Sequence, residues 1–120
     1  MLDIRMKRVY AEASPDDGLR ILVDRVWPRG ISKEAAEVSE WLREIAPSDD
    51  LRQWFGHEPS RWPEFRDRYW SQLDDTPEVV ERLRGLARRG RLTLVYGAKE
   101  ERYNNARALK EYLEGNSELR

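Results

Sequence analysis

Residues 2–7 alternate between apolar and charged side chains. A repeat of two is typical of a strand with one covered face, so we predict a first strand here that continues to Val9 and Tyr10. Residues 14–18, Ser-Pro-Asp-Asp-Gly, predict a turn, because proline presets one backbone angle and glycine permits positive φ. The chain is expected to reverse or loop there before its next strand.

Two later runs are mostly apolar: residues 19–23, which include one arginine, and residues 91–96, which begin with an arginine and include one threonine. Short continuous runs of this kind suit strands that are buried on both faces. We therefore predict that both strands lie centrally in the sheet. If they are parallel neighbours, the loops that follow them lie side by side.

Helical spacing of apolar residues predicts the helices. The first should begin after a Ser32 cap and end before Pro47, because four apolar side chains recur at i, i+3, i+4 and i+7 within it. These four are Val38, Trp41, Leu42 and Ile45. A short second helix should begin after Ser48, with two aspartates at its positive end, and end at Gly56.

Three more helices are predicted along the rest of the chain. Ser60 should cap the third, whose apolar stripe consists of Trp62, Phe65, Tyr69 and Leu73. The fourth should begin at residues 76–78 and end at residues 88–90, where two arginines precede a glycine. The last should include residues 106–113 and end near Gly115.

These elements place the chain in the α/β class. We expect one domain over residues 1–120, with a small, mostly parallel sheet of about three strands covered by about five helices in three layers. Residues 116–120 should form a frayed tail. The 39% of hydrophobic residues suffices for one core but not for two.

Charge and composition narrow the class of protein further. The chain has 22 Lys+Arg and 23 Asp+Glu residues, and its net charge of -1 gives no overall attraction to nucleic acid. No apolar run approaches the roughly 20 residues needed to span a bilayer, and the N-terminus lacks the apolar core of a signal peptide. We therefore expect a cytoplasmic protein that does not bind membranes.

The side chains available limit the chemistry. The chain has no cysteine and a single histidine, His57, which excludes disulfides, thiolate nucleophiles and multi-histidine metal clusters. Its aspartate pairs fall in turns and at helix starts, where aspartate is expected without a metal. The usual signature loops for phosphates, dinucleotides and serine nucleophiles are lacking. We predict neither a metal site nor a cofactor.

The segment after the second strand carries the strongest binding signal. Arg25 and Arg29 lie close together on a segment stiffened by Pro28, and two guanidinium groups could hold one phosphate or carboxylate. Trp27 between them offers a flat face for stacking. The alternative is that the arginines pair with nearby aspartates and that Trp27 belongs to the core.

The segment after the last strand complements the first one. Gly97 permits close backbone approach, Lys99 adds a positive charge, and Asn104 and Asn105 offer amides at a helix start. Ligands of α/β sheets bind beyond the carboxyl ends of the strands, so the two segments together predict an anion pocket. The alternative is an ordinary helix start that an asparagine caps.

Two side chains are candidates for proton transfer, His57 and Tyr103. Histidine changes its protonation state near neutral pH, so His57 could carry a proton. Since it follows a helix end, it could also serve only to bond free carbonyl groups. The sequence therefore leaves open whether the chain is an enzyme.

Several motifs occur in a recognisable order. The most specific is Asp-Arg-Val-Trp-Pro-Arg-Gly at residues 24–30. Trp-Phe-Gly-His follows at residues 54–57, Tyr-Gly-Ala-Lys at residues 96–99 and Asn-Asn-Ala at residues 104–106. In these motifs the chain resembles the YeaO-like bacterial family, domain of unknown function 488. The resemblance implies a small, cytoplasmic, three-layer α/β protein and carries no settled reaction or cofactor.

The resemblance also bears on catalysis. Many members of that family have histidine at the position of Tyr103, and a more distant branch has cysteine and histidine around Asn104 and Asn105. If those residues perform chemistry in relatives, the resemblance implies that this chain only binds.

Two functions are compatible with these features. The first is a pocket for a phosphorylated or carboxylated small molecule, including nucleotide-like compounds, either with or without turnover. The second is a non-catalytic module that binds nucleic acid or a protein, which a cluster of arginines and the many aromatic residues favour. The cluster consists of Arg82, Arg84, Arg88, Arg89 and Arg91. The near-zero net charge counts against this second function.

Overall fold

The computed structural model describes residues 2–115, in which four strands form one sheet in the order β1-β4-β2-β3. The strands are β1 (Ile4–Arg8), β2 (Leu19–Leu22), β3 (Glu40–Trp41) and β4 (Leu92–Tyr96). The helices are α1 (Lys33–Ala36), α2 (Asp49–Phe55), α3 (Trp62–Asp74), α4 (Pro77–Arg89) and α5 (Asn105–Leu113). All strand pairings are parallel, which confirms the α/β class. The predicted frayed tail lies outside the described residues.

The two apolar strands are central, as predicted, and they are parallel neighbours. β2 pairs with β4 from Leu19↔Leu92 to Leu22↔Val95, and β1 pairs with the other edge of β4. All five residues of β4 are buried. Because the strands are parallel, their carboxyl ends all lie at the same edge of the sheet.

The first predicted helix is wrong: a four-residue helix, a two-residue edge strand and a 3-10 turn take its place. Ser32 does cap α1, accepting a hydrogen bond of 3.1 Å from the backbone N–H of Ala35. However, α1 ends at Ala36, because Glu37 adopts a left-handed backbone with φ of 49°. The chain then pairs with the free edge of β2 to form β3, the fourth strand that the sequence did not reveal.

The apolar spacing predicted a helix wrongly because its residues pack against two different faces of the sheet. Val38 and Trp41 pack against the smaller apolar cluster on one face. Leu42 and Ile45 belong to the main core on the other face. An apolar pattern divided in this way does not form one helical stripe, and hydrogen bonds along β2 determine the local structure instead.

The later helices begin and end near their predicted residues. Ser48 caps α2 through a 3.2 Å bond from the N–H of Leu51, and Gly56 ends it with φ of 51°. The Ser60 cap is wrong: Ser60 lies in a 3-10 turn before α3, which begins at Trp62 without a side-chain cap. Asn104 caps α5, accepting a 2.9 Å bond from the N–H of Arg107.

Helices cover the two faces of the sheet unequally. The main core lies between the sheet and α2, α3, α4 and α5, and its largest fully buried side chain is Tyr69. The opposite face is covered by α1 and by the loop that carries Trp27 and Ile31. The larger part of the hydrophobic stabilisation therefore lies on one side, where α2 and α3 approach the carboxyl ends of the strands.

Candidate functional site

The loops after β2 and β4 are joined through one carboxylate. The backbone N–H of Gly97 donates to Oδ2 of Asp24 over 2.8 Å. Asn105 Nδ2 donates to Oδ1 of Asp24 and to the carbonyl oxygen of Val23, both over 3.1 Å. The two segments therefore lie side by side. Asp24 links them to each other and to the start of α5.

Gly97 permits this close approach. A Cβ atom at this position would lie 3.1 Å from Oδ2 of Asp24 and 3.1 Å from Cβ of Pro28. Both contacts are tighter than ordinary van der Waals separations, so a larger residue would require these two side chains to shift by a few tenths of an ångström. The absence of a Cβ atom, rather than a positive φ, is the property of glycine that matters here.

A pocket of about 290 Å³ opens beside Asp24, between these loops and α2. Its polar lining consists of Asp24, Arg25, Arg52, Gln53, His57 and Asn105. Its apolar lining includes Val26, Pro47, Phe55, Phe65 and Ala98. A concave site with apolar walls and a few convergent polar groups is the usual form of a small-molecule pocket.

Arg25 is held in place by main-chain oxygens. Its Nε donates to the carbonyl of Pro47 over 2.9 Å, and its Nη2 donates to the carbonyl of Ala46 over 3.3 Å. Within the described residues Nη1 has no hydrogen-bond partner, while Arg25 lines the pocket. The guanidinium is therefore fixed in orientation and keeps one nitrogen free to bind a ligand.

Arg52 and His57 add to the positive side of the pocket. Arg52 projects from α2, is 48% exposed at the side chain, and bonds Asp49 over 3.3 Å. His57 follows the end of α2 with φ of 58°, a left-handed conformation that costs a residue with a side chain about 1 kcal/mol. Strain of this kind is often retained where it positions a functional side chain, and here it positions the imidazole at the pocket.

Burial raises the pKa of the Asp24 carboxyl above its ordinary value. Hydrogen bonds from Asn105 and Gly97 and the charge of Arg52 oppose this shift without cancelling it. Neither of the two hydrogen-bond donors to Asp24 is a cation. The ionised carboxylate thus lacks a cationic hydrogen-bond donor among residues 2–115. A shifted pKa of this kind is a common property of groups in binding and catalytic sites.

The other residues predicted for the site lie outside the pocket lining. Trp27 donates from Nε1 to the carbonyl of Ile31 over 2.8 Å and packs edge-on against Trp41 on the opposite face of the sheet. Arg29 and Lys99 are exposed. Tyr103 lies 5.4 Å from Trp62, measured between ring centroids, at a different surface depression.

Asn104 and Asn105 have different roles although they are neighbours. Asn104 is fully buried and donates from Nδ2 to the carbonyl of Glu100 over 2.9 Å in addition to capping α5. Asn105 lines the pocket and bonds Asp24. The structure therefore brings together Arg25, His57 and Asn105 from the predicted set.

Sequence reasoning missed Asp24, Arg52 and Phe55 as pocket residues. Asp24 directly follows a central strand, which is a position that favours ligand contacts and could have marked it. Arg52 and Phe55 carry no such local signal, because only the packing of α2 against the strand ends brings them there.

Residues 2–115 contain no group of three or more histidine, cysteine, aspartate or glutamate side chains placed to hold a metal ion. None of the helices in this range combines the length and the apolar character that a membrane span requires.

Comparison with known proteins identifies the family. A family model described as "Inactive DUF488-N3 subclade" matches residues 3–120. The chain belongs to the DUF488 family. It is 42% identical to the uncharacterized protein YeaO of Escherichia coli (strain K12) over 112 residues, which cover 93% of this chain and 97% of that protein. It is also 41% identical to the uncharacterized protein Rv3073c of Mycobacterium tuberculosis (strain ATCC 25618 / H37Rv), over 93% of this chain and 94% of that protein. No solved structure matches the chain significantly.

The motifs of this DUF488 chain converge on one pocket. Residues 24–30 contribute Asp24, Arg25 and Val26 to the lining, and residues 54–57 contribute Phe55, Gly56 and His57. The segments after β4 contribute Ala98 and Asn105. Motifs that are far apart in sequence therefore meet in space beside Asp24.

Proposed function

We propose that this DUF488 member binds a small anionic compound, carrying a phosphate or a carboxylate, in the pocket beside Asp24. The observation that carries the proposal is the presence of two guanidinium groups, Arg25 and Arg52, in one concave site at the carboxyl ends of the central strands. The description of the matching family as an inactive subclade favours binding without turnover.

The charges of the lining favour an anion. Arg25 and Arg52 contribute two positive charges, Asp24 contributes one negative charge, and His57 adds a positive charge when it is protonated. Each oxygen of Asp24 accepts one hydrogen bond, from Gly97 or Asn105, and the two arginines outnumber this one carboxylate in the lining. Arg25 is also fixed by two carbonyl groups, so little side-chain entropy is lost when a ligand binds it.

Binding of nucleic acid or a protein through the arginine cluster has less support. Arg82 binds Glu40 through both terminal nitrogens, Arg88 binds Glu81, and Arg91 binds Asp3. Arg84 donates to the carbonyl oxygens of residues 112 and 113 at the end of α5. Four of the five guanidinium groups of the cluster are thus engaged within the chain and are less available to phosphates of a partner.

Thermal-shift measurements with phosphorylated and carboxylated metabolites test the proposal. A true ligand at one hundred times its Kd should stabilise the protein by about 2.7 kcal/mol, which raises Tm by about 10 °C in a domain of this size. The Kd of each hit is then measured by titration calorimetry for the wild-type protein and for two arginine variants.

The variants separate the pocket from the general surface charge. Arg52→Ala should weaken binding by about tenfold to a hundredfold, because a charged hydrogen bond is lost. Arg29→Ala is the matched control, since Arg29 is exposed near the same loop but does not line the pocket. Equal affinities of both variants and the wild type would show that the anion binds elsewhere.

A further inference from the structure

We infer that Asp24 selects the ligand, and that the ligand is a flat heterocycle with two adjacent N–H donors of the guanine type, joined to the anionic group. This inference rests on the proposed function and gives it a substrate class. The carboxylate would contact the ring, while the arginines would contact the anion.

The hydrogen bonds of Asp24 leave two acceptor positions. An ionised carboxylate offers about four acceptor positions, two on each oxygen. Gly97 and Asn105 each occupy one of them, on different oxygens. They also fix the plane of the carboxyl group, so that one further donor can bind each oxygen. A ligand with two parallel N–H groups meets that requirement as a bidentate pair.

The surrounding charges favour a neutral donor pair over a cation. An ammonium or guanidinium group placed against Asp24 would lie in a pocket that already contains Arg25 and Arg52. Like charges at such short range repel in a partly desolvated site. The N–H and amino groups on one edge of a guanine ring are polar donors without a full charge, and they avoid this cost.

The apolar lining offers a surface against which a ring can lie. Phe55 and Phe65 are buried and stacked on each other, so they form an apolar floor and not an open stacking face. Val26, Pro47 and Ala98 complete the apolar lining. A volume of about 290 Å³ accommodates a ring system, and the half-exposed Arg52 leaves the attached phosphate near solvent.

Titration calorimetry with four probes tests the inference: the monophosphates of guanosine, inosine and xanthosine, and ribose phosphate without a base. The wild-type protein should bind the guanosine compound at least about tenfold more tightly than the inosine compound, which lacks only the amino group. The xanthosine compound should bind still more weakly, because its carbonyl oxygen would face the carboxylate.

Asp24→Asn should abolish the preference for the guanosine compound. The amide nitrogen of asparagine cannot accept the bond that Gly97 or Asn105 donates, and the variant offers the ring only one acceptor oxygen without charge. The affinities for the guanosine and inosine compounds should therefore become nearly equal, while ribose phosphate binds as before. A purely structural loss would weaken all the nucleotides equally and would overturn the inference. If the variant does not fold, the ratio of guanosine to inosine affinity in the wild type decides.

The outcomes also separate this inference from the proposed function. If all four probes bind with equal affinity and Arg52→Ala weakens each of them, the pocket binds anions but Asp24 does not select a ring. If no anionic compound binds, the proposed function fails, and this inference fails with it.

Discussion

Replacing Asp17 by asparagine should remove the centre of a buried ionic network at the amino end of β2. Asp17 accepts bonds from Lys7 Nζ over 2.9 Å, from the backbone N–H of Ser14 over 3.0 Å and from Arg20 Nη1 over 2.7 Å. The side chains of Asp17 and Arg20 are only 9% and 6% exposed. Asparagine preserves the shape of the residue and removes its charge.

The expected loss of stability follows from Arg20, which keeps its charge when Asp17 is replaced. Arg20 is held in place by the carbonyl groups of Ala36 and Glu37 as well as by Asp17, so it stays buried when its counter-ion is removed. Breaking a buried ion pair from one side costs about 3–5 kcal/mol. Lys7 is partly exposed and can turn to water, and asparagine keeps one acceptor oxygen. We therefore expect a loss of about 3 kcal/mol for Asp17→Asn.

The difference between wild type and variant should depend on pH. Burial opposes ionisation of Asp17, but hydrogen bonds from Lys7, Ser14 and Arg20 outweigh it and hold the pKa below its ordinary value of 3.8. The unfolded chain therefore binds the proton first as the pH falls. The stabilisation is complete above pH 3.8 and is lost as the pH falls through the folded-state pKa.

Urea unfolding from about pH 7 down to about pH 3 measures this difference directly. Asp3→Asn is the matched control: its pKa is also lowered, by hydrogen bonds from Arg91 and Arg5, but these ion pairs are exposed. The control should lose far less stability than Asp17→Asn. A cost below about 1 kcal/mol at neutral pH, or one that stays constant into acid, would refute the network as a source of stability.

Two glycine substitutions should shift stability in opposite directions, both measurable by urea unfolding. Gly18→Ala should destabilise by at least about 2 kcal/mol, because Gly18 has φ of +65° and a Cβ would lie 2.4 Å from the carbonyl oxygen of Arg91. Gly85→Ala should stabilise by about 0.5–1 kcal/mol, since the residue is inside α4 and a Cβ would meet no atom within 4 Å. Equal effects would contradict both arguments.

The sequence predicted well the elements whose signals are local. The central strands β2 and β4 follow from continuous apolar runs, and α2 follows from its Ser48 cap and terminal Gly56. The edge strand β3 could not be predicted in the same way. Glu40 and Trp41 become a strand only because the edge of β2 is free to pair with them, and that contact is long-range.

Dependence on the folded structure limited the prediction of the site residues in the same way. Arg25 and Arg29 both follow β2 and look equivalent in the sequence, yet only Arg25 lines the pocket. Arg25 is held at the pocket because it donates to the carbonyl groups of residues 46–47, which belong to a different part of the chain. Trp27 points to the other face of the sheet because its indole N–H finds the carbonyl of Ile31 there. The partners of Arg25 are 21 and 22 residues away and are not visible in the local pattern, whereas the partner of Trp27 is only four residues away.

The two aspartates that flank β2 differ in how the chain compensates their burial. Asp17 and Asp24 both lose solvation, but cations within the chain compensate Asp17 and its pKa falls. Asp24 receives hydrogen bonds only from uncharged amide groups, and its pKa rises. Ionisation of Asp24 therefore lowers the free energy of unfolding as the pH rises through that raised pKa. A buried carboxylate that faces a pocket and lacks a cationic partner can gain a hydrogen bond from an external donor, which is consistent with the ligand site that we propose at the carboxyl end of β2.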